Sequence, residues 1–281
     1  MPFIGVLPER ISLFQPQPRR AVAVNDAAAW RLNPAYRQVY NKLDLALAAR
    51  LTAAPCGVAP GEFGIAAQSP LFVKPIINLF GTALGAQKVS SAEVPPTPGS
   101  FWCECLNGEH SSSDCLVENG EPRWFAHTLA STEKDAERPL YWSIGVARPD
   151  LEPILTTIIH RHLAGYTGLC NIELIGGQPI ELHLRGSNGF FDFYGTEFLP
   201  SWVALVDGEP FTPPPPIPGG YVLSLFGHGT LKKEFVAQNI PQGVKVQIDQ
   251  HTPGRIAILR CTELEAGRQV LSWLARHIDT V

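Results

Sequence analysis

Apolar and polar residues alternate strictly in two neighbouring stretches, 171–175 and 179–185, with glycines between them, which is the pattern of a β-hairpin. With Gly176, Gly177 and Gln178 as the loop, Glu173 lies opposite Glu181 and Asn171 opposite His183, and Arg185 follows on the same face. Ile172, Leu174, Ile180, Leu182 and Leu184 then fill the other face. Period-2 patterning also predicts a meander over 101–106, 112–117 and 123–129, with Asn119-Gly120 as a type I′ turn between the last two. Residues 71–77 read as an apolar strand carrying one lysine, and a further strand starts at Lys88. Three more strands fall at 221–226, 244–248 and 255–261. Helical spacing marks 35–51, with Asn33 as cap and Lys42 in its middle, and 151–164, with Asp150 as cap. It also marks a segment near Trp202 and a closing amphipathic helix over 264–278. Residues 1–30 contain Pro8, Pro16 and Pro18 and read as irregular, with one short strand at 3–7. The run Pro213–Pro216 reads as a stiff linker or covering loop, in preference to a polyproline ligand.

Composition narrows the class. A chain of 281 residues buries about three quarters of its unfolded surface, enough for one large or two small domains without covalent staples. Lys and Arg number 22 against 26 acids, a net charge of −4, so nothing points to nucleic acid or to an anionic membrane. Small anionic ligands can still be met by local lysines and arginines. The six cysteines show no C-x-x-C spacing and read as reduced, buried thiols. Cys103, Cys105 and Cys115 could share a hairpin face, but no fourth ligand has zinc spacing. Without a basic leader or an apolar run of membrane length, the expectation is a soluble, cytoplasmic protein.

The hairpin carries the chemistry. Carboxylates directly opposite on paired strands are about 5 Å apart at Cβ, where their repulsion at an effective dielectric near 20 is about 3 kcal/mol. A cation, a neighbouring Lys or Arg, or a shared proton must offset it, unless both acids simply face water. Glu and Asn oxygens suit Mg²⁺, which is held by one or two carboxylates together with substrate phosphates. Lys74 stands out because an apolar strand rarely carries an ammonium without an anion beside it. His160 and His162 are two apart on their helix and do not share a face.

In order along the chain, these pieces resemble the ATP-grasp superfamily of carboxylate-amine or carboxylate-thiol ligases over roughly residues 37–190. The segment Tyr40-Asn41-Lys42-Leu43 is similar to the family's first lysine helix, and Phe72-Val73-Lys74-Pro75 to its second lysine strand. Glu104 to His110, with Asp114, resembles the hinge and the strand after it. Glu173 with Glu181-Leu182-His183-Leu184-Arg185 resembles the metal hairpin that ends Glu-x-Asn-x-Arg. The resemblance implies ATP and Mg²⁺ as cofactors. Lys42 and Lys74 would contact ATP phosphates, and a loop from Gly81 through Gly85 would cover them. Glu104 and the backbone at Leu106 would hold adenine, and Glu109 or His110 the ribose. Glu173, Glu181 and His183 would carry the metal, and Arg185, with Lys74, would serve catalysis at an acyl-phosphate or tetrahedral intermediate.

Departures from the family pattern are visible. His183 stands in the place of Asn, His110 in that of the ribose-binding acid, and the phosphate loop carries Leu79, Phe80 and Leu84. The family's sizeable amino-terminal domain is replaced by about forty residues, which suggests a partner chain or a second copy supplying it. The expected architecture is α+β, with two α+β lobes of antiparallel sheet around a nucleotide. An extension over 1–36 precedes a first lobe over 37–95, a second over 96–200, and a tail over 201–281 packed on the second. The implied activity is ATP-dependent activation of a small-molecule carboxylate as an acyl phosphate, for attack by an amine or thiol. The alternative is a non-catalytic nucleotide-binding or assembly protein of the same fold.

Overall fold

The computed structural model describes residues 2–81, 83–135, 138–187, 189–231, 240–249 and 251–278. Thr82, in the expected phosphate loop, and residues 136–137, in the charged loop after Ser131, lie outside the described residues. In chain order the strands are β1 (Phe3–Ile4), β2 (Val22–Ala23), β3 (Ala53–Pro55), β4 (Pro70–Pro75), β5 (Gln87–Ser90), β6 (Ser100–Glu104), β7 (His110–Glu118) and β8 (Glu121–Ala130). They continue with β9 (Lys134–Asp135), β10 (Arg138–Pro139), β11 (Tyr141–Ile144), β12 (Gly168–Ile175), β13 (Gln178–His183), β14 (Gly220–Phe226), β15 (Val244–Ile248) and β16 (Arg255–Cys261). The α-helices are α1 (Asp26–Leu32), α2 (Lys42–Ala48), α3 (Glu152–His162), α4 (Phe198–Asp207) and α5 (Leu264–Ala275).

Two antiparallel sheets dominate. The larger has eight strands in the order β13-β12-β7-β8-β11-β14-β16-β15, the smaller four in the order β3-β6-β4-β5. The architecture is α+β, as the alternating pattern predicts. The turn Asn119-Gly120 between β7 and β8 has φ of +50° and +84°, the left-handed pair that a type I′ hairpin requires. Between β12 and β13 the turn is shorter than the three residues read from the sequence. Gly176 and Gly177, at φ +56° and +79°, form it alone, so Ile175 pairs with Gln178 and Leu174 with Pro179. A bulge between Glu173 and Leu174 then absorbs one residue and restores Glu173 opposite Glu181 and Asn171 opposite His183. The faces come out as expected because the two deviations cancel.

The two faces of the large sheet bury different clusters. Cys115, Val117, Ile172, Leu174, Leu182 and Leu184 pack against Leu155, Ile158 and Ile159 of α3. On the opposite face Leu116, Trp124 and Leu169 join Phe191, Tyr194, Phe198 and Trp202, with Phe3 and Phe14 from the amino-terminal segment. Further along, β14 and β16 extend the same sheet, and α5 packs on them through Val270 and Leu274. The tail is therefore continuous with the large sheet through the β11–β14 pairing, rather than an element laid on top of it. Likewise β6, read as the start of the second lobe, pairs with β3 and β4 inside the small sheet. Cys103 in β6 and Cys115 in β7 thus belong to different sheets, and the cysteine face read from spacing does not assemble.

The amino-terminal segment departs most from its sequence reading. It is not irregular: β1 and β2 pair in parallel, and α1 follows, with Asn25 Oδ1 accepting from the Ala28 N–H at 2.8 Å. Nor is 35–51 one helix. Pro34–Tyr40 forms a 3₁₀ helix, and the α-helix starts at Lys42, capped by Asn41, whose Oδ1 accepts from the N–H groups of Leu43 and Asp44. Asn33 both ends α1 and precedes the 3₁₀ helix, but its side chain donates back to the Ala29 carbonyl and makes no capping bond to the helix that follows. Lys42 is consequently the first residue of α2, where its side chain leaves the helix end instead of its flank. Asp150 does not cap α3; its carboxylate is held by Arg148.

One buried histidine ties stability to pH. His127 on β8 places Nδ1 2.9 Å from Ser113 Oγ, and burial pushes its pKa below the ordinary 6.5 against the opposing pull of Glu152. The folded chain then binds fewer protons than the unfolded one just below that pH. The stabilisation is complete above it and is lost as pH falls. Between about pH 7 and about pH 5 this group should steepen the loss of stability by at most about 1.4 kcal/mol per pH unit. Urea titrations across that range check it: a His127→Gln profile as steep as that of wild type would rule this group out.

Candidate active site

Strand β13 and the residue pair beyond it bring an alternating row of acids and bases onto the sheet face opposite α3. Lys42 Nζ lies 2.5 Å from Glu181 Oε1, and Glu181 Oε2 lies 3.1 Å from His183 Nε2. His183 Nδ1 is 3.0 Å from Asp26 Oδ1, and Arg185 donates to Asp26 Oδ2 from Nε at 3.1 Å and Nη2 at 2.8 Å. Lys42 and Asp26 are each 5% exposed and His183 is buried, so these charges offset one another away from bulk water.

The charge states follow from that row. Burial by itself would raise the Glu181 carboxyl, but Lys42, then His183 and Lys74, hold it well below the usual carboxylate range. Burial would likewise raise Asp26, and Arg185 and His183 overcome it to keep the group ionised. At His183 burial and Arg185 act downward, yet Asp26 and Glu181 outweigh them and the net shift is upward.

Lys74 reaches the same place from the small sheet. Its ammonium donates to the Ile180 carbonyl at 3.1 Å and stands 5.7 Å from the centroid of the Phe101 ring. It is 8% exposed, and burial pushes its pKa down while Glu181 opposes the shift. Among the described residues that carbonyl is its one hydrogen-bond partner. A second pair lies beside the row: His110 Nε2 is 3.3 Å from Glu173 Oε2, and the His110 ring meets the Trp142 ring edge-on at 5.0 Å. One donor atom each from Glu173, Glu181 and His183 fall within 4.8 Å of one another.

Below the row a fully buried carboxylate fixes the floor. Asp114 accepts from the Asn171 amide at 2.8 Å, the Ser187 N–H at 2.8 Å and the Tyr194 hydroxyl at 2.9 Å. Asn171 also donates to Ser112 Oγ, while its Oδ1 is buried with no hydrogen-bond partner among the described residues.

The structure thus gathers Lys42, Lys74, Glu173, Glu181, His183 and Arg185 in one place, and adds His110 to it. Glu104 stands apart on the small sheet, its Oε1 accepting from the Thr52 N–H. Glu109 is ion-paired with Arg148, and Leu106 lies in the connection between β6 and β7. The loop holding Gly81 and Gly85, both at positive φ, is braced by Asn78, whose side chain bonds the Gly81 carbonyl and the Phe80 N–H. Its tip presents Phe80, 62% exposed. Sequence reading missed Asp26 altogether; the available signal was the cap Asn25 before the helix-favouring run Ala27-Ala28-Ala29. A cleft of about 250 Å³ between α2, α3 and the hairpin turn, lined by Leu45, Ile154, Arg161 and Pro179, opens on the helix-covered side, away from the carboxylates.

No family model matches the chain, and no curated protein sequence does. Solved structures do. An L-amino acid ligase from Bacillus licheniformis aligns over 91% of this chain and 77% of its own at 16% identity, with a TM-score of 0.59. A carboxyaminoimidazole ribonucleotide synthase from Aspergillus clavatus, complexed with ATP, aligns over 96% and 78% at 10% identity, with a TM-score of 0.64. A phosphoribosylamine–glycine ligase from Thermotoga maritima aligns over 98% and 86% at 12% identity, with a TM-score of 0.58. The chain has the ATP-grasp fold. No helix among the described residues is long and apolar enough to cross a membrane.

Proposed function

We propose that the chain is an ATP-dependent ligase that activates a small-molecule carboxylate as an acyl phosphate for attack by an amine or thiol. The observation that carries the reading is the convergence of two buried ammonium groups, Lys42 and Lys74, on Glu181 and its hairpin. Desolvated, preorganised positive charge is what a transferring phosphoryl group needs, because its charge is met without reorganising water. In this reading Lys42 and Lys74 meet the ATP phosphates, and the loop at Gly81 and Gly85 covers them. Glu104 and the Leu106 backbone hold the base, and Glu109 or His110 the ribose.

Glu173 and Glu181 are oxygen donors of the kind that hold Mg²⁺ beside phosphates, and His183 completes the donor set. A cation held by these residues would neutralise part of the phosphate charge. The substrate carboxylate oxygen attacks the γ-phosphorus and ADP leaves. The amine or thiol then attacks the acyl carbon, phosphate leaves, and the nucleophile's proton passes to solvent or to phosphate. Arg185 stabilises the oxyanion of that second step. Six free thiols and use of ATP suit a cytoplasmic location.

Thermal unfolding and calorimetry with ATP and Mg²⁺ test the nucleotide site. At one hundred times the dissociation constant, wild type should gain about 2.7 kcal/mol of apparent stability, and Lys74→Ala should lose most of that gain. Neither heat nor shift in wild type would overturn the reading. A second reading, a non-catalytic nucleotide-binding protein, is favoured by one feature: Arg185 is already occupied by Asp26. ATP binding without ADP formation across carboxylate and amine panels would select it.

A further inference from the structure

We infer that residues 211–218, which join α4 to β14, are a docking strip for a partner domain whose aromatic-lined groove reads a polyproline II helix. The strip runs Phe211-Thr212-Pro213-Pro214-Pro215-Pro216-Ile217-Pro218. Each proline fixes its own φ near −65°, and each residue before a proline is pushed toward extended backbone. Those two restraints cover 212–218 without a gap, so the segment is a polyproline II helix of three residues per turn and about 22 Å in length at about 3.1 Å per residue. Burial follows the same period. Pro214 is buried and Phe211 and Ile217 are half-buried, these two against the aromatic cluster of Phe191, Phe198 and Trp202. Thr212, Pro213, Pro215, Pro216 and Pro218 are all exposed. The run read from sequence as a covering loop does cover the core, but with one of its three edges only.

The other two edges present Pro-x-x-Pro pairs to solvent, Pro213 with Pro216 and Pro215 with Pro218. Pairs at that spacing are what aromatic polyproline-reading grooves take up. A loop that only covered a core would carry polar side chains outward, whereas no charged residue lies between Glu209 and His228. The backbone is equally available: among the described residues the carbonyls of 211–218 accept no hydrogen bond, which leaves them for the Trp and Tyr donors of such a groove. The strip is also held in shape beforehand. At its start the Glu209 N–H donates to the Ala204 carbonyl at 2.8 Å. At its end the chain passes so close to Gly145 that a Cβ there would stand 2.9 Å from Gly219 Cα and 3.3 Å from the Ile217 carbonyl oxygen. Docking a preformed, anchored helix orders little new chain, which lowers the entropic cost of association.

Titration of the full chain into isotope-labelled SH3, WW and EVH1 domains, followed by nuclear magnetic resonance, tests this. At least one domain should show shifts confined to its groove aromatics, and decaproline should reverse them by competition. The double variants Pro213→Ala/Pro216→Ala and Pro215→Ala/Pro218→Ala each alter one outward edge and leave the packed edge intact, so both should keep the wild-type circular dichroism spectrum. At least one of them should weaken binding by about tenfold or more, equivalent to about 1.4 kcal/mol. No shift in any of the three domains, shifts outside the groove, or binding unchanged in both double variants would overturn the inference and leave the strip as a cover for the aromatic cluster. ATP binding is outside this test, since every readout is taken without nucleotide.

Discussion

Glu181→Gln is expected to abolish ATP turnover and to destabilise the chain by about 3–5 kcal/mol, the range for removing one member of a buried ion pair. The substitution keeps the shape of the side chain and removes its charge. Lys42 would lose its carboxylate partner at 2.5 Å and His183 its acceptor at 3.1 Å, and Lys74 would lose the charge that most supports its ammonium against burial. Two lysines and an imidazole would then face one another with Glu173 as the remaining nearby acid of the donor set. Release of ADP in a coupled assay, run where circular dichroism shows the variant folded, reads the first effect, and urea unfolding reads the second. Retained turnover would remove the hairpin from the chemistry. An unchanged urea midpoint would mean that water, and not protein, already neutralises Lys42.

Asp26→Ala is expected to cost about as much, about 3–5 kcal/mol, although the residue is far from the hairpin in sequence. Its carboxylate is 5% exposed and joins His183 to Arg185. Without it the Arg185 guanidinium and the His183 imidazole remain buried without the acceptor they share. Asp26→Asn should be milder, because an amide oxygen can still accept one of the bonds. Urea unfolding of the pair separates these outcomes: equal, small losses for both variants would show that the amino-terminal helix rests on the sheet without bearing the site's charge.

Why Asp26 was invisible and Glu181 was not has a physical cause. The acids of the hairpin declare themselves because a strand repeats every two residues. Once one face is apolar, Glu173, Glu181 and His183 must share the other, whatever the sheet packs against. Even the wrong turn length did no harm, since the bulge after Glu173 compensated for it. Lys74 was legible for a related reason: an ammonium within Leu71, Phe72 and Val73 needs an anion. Asp26, by contrast, occupies the first turn of a seven-residue helix, where an acid is ordinary on local grounds. Its partners are 157 and 159 residues away. Nothing in its neighbourhood announces them. Lys42 shows the intermediate case: the residue was singled out, but its place in mid-helix was wrong, because Asn41, not Asn33, caps α2.

By itself, then, the sequence determined the alternation that makes the sheets, the turn at Asn119-Gly120, the place though not the length of the turn after Ile175, the face on which the hairpin acids lie, and the presence in β4 of a lysine in need of an anion. These are local properties, set by side-chain periodicity and by glycine's tolerance of positive φ. Only the tertiary structure decided that β6 completes the small sheet, that the tail extends the large one, and that Asp26 links His183 to Arg185. Those outcomes depend on which unpaired strand edge or buried charge meets which distant partner, as Ala53 meets Cys103, Tyr141 meets Leu223 and Asp26 meets His183. Such pairings are chosen by the burial and charge compensation of the assembled chain, and no short stretch of sequence carries that information.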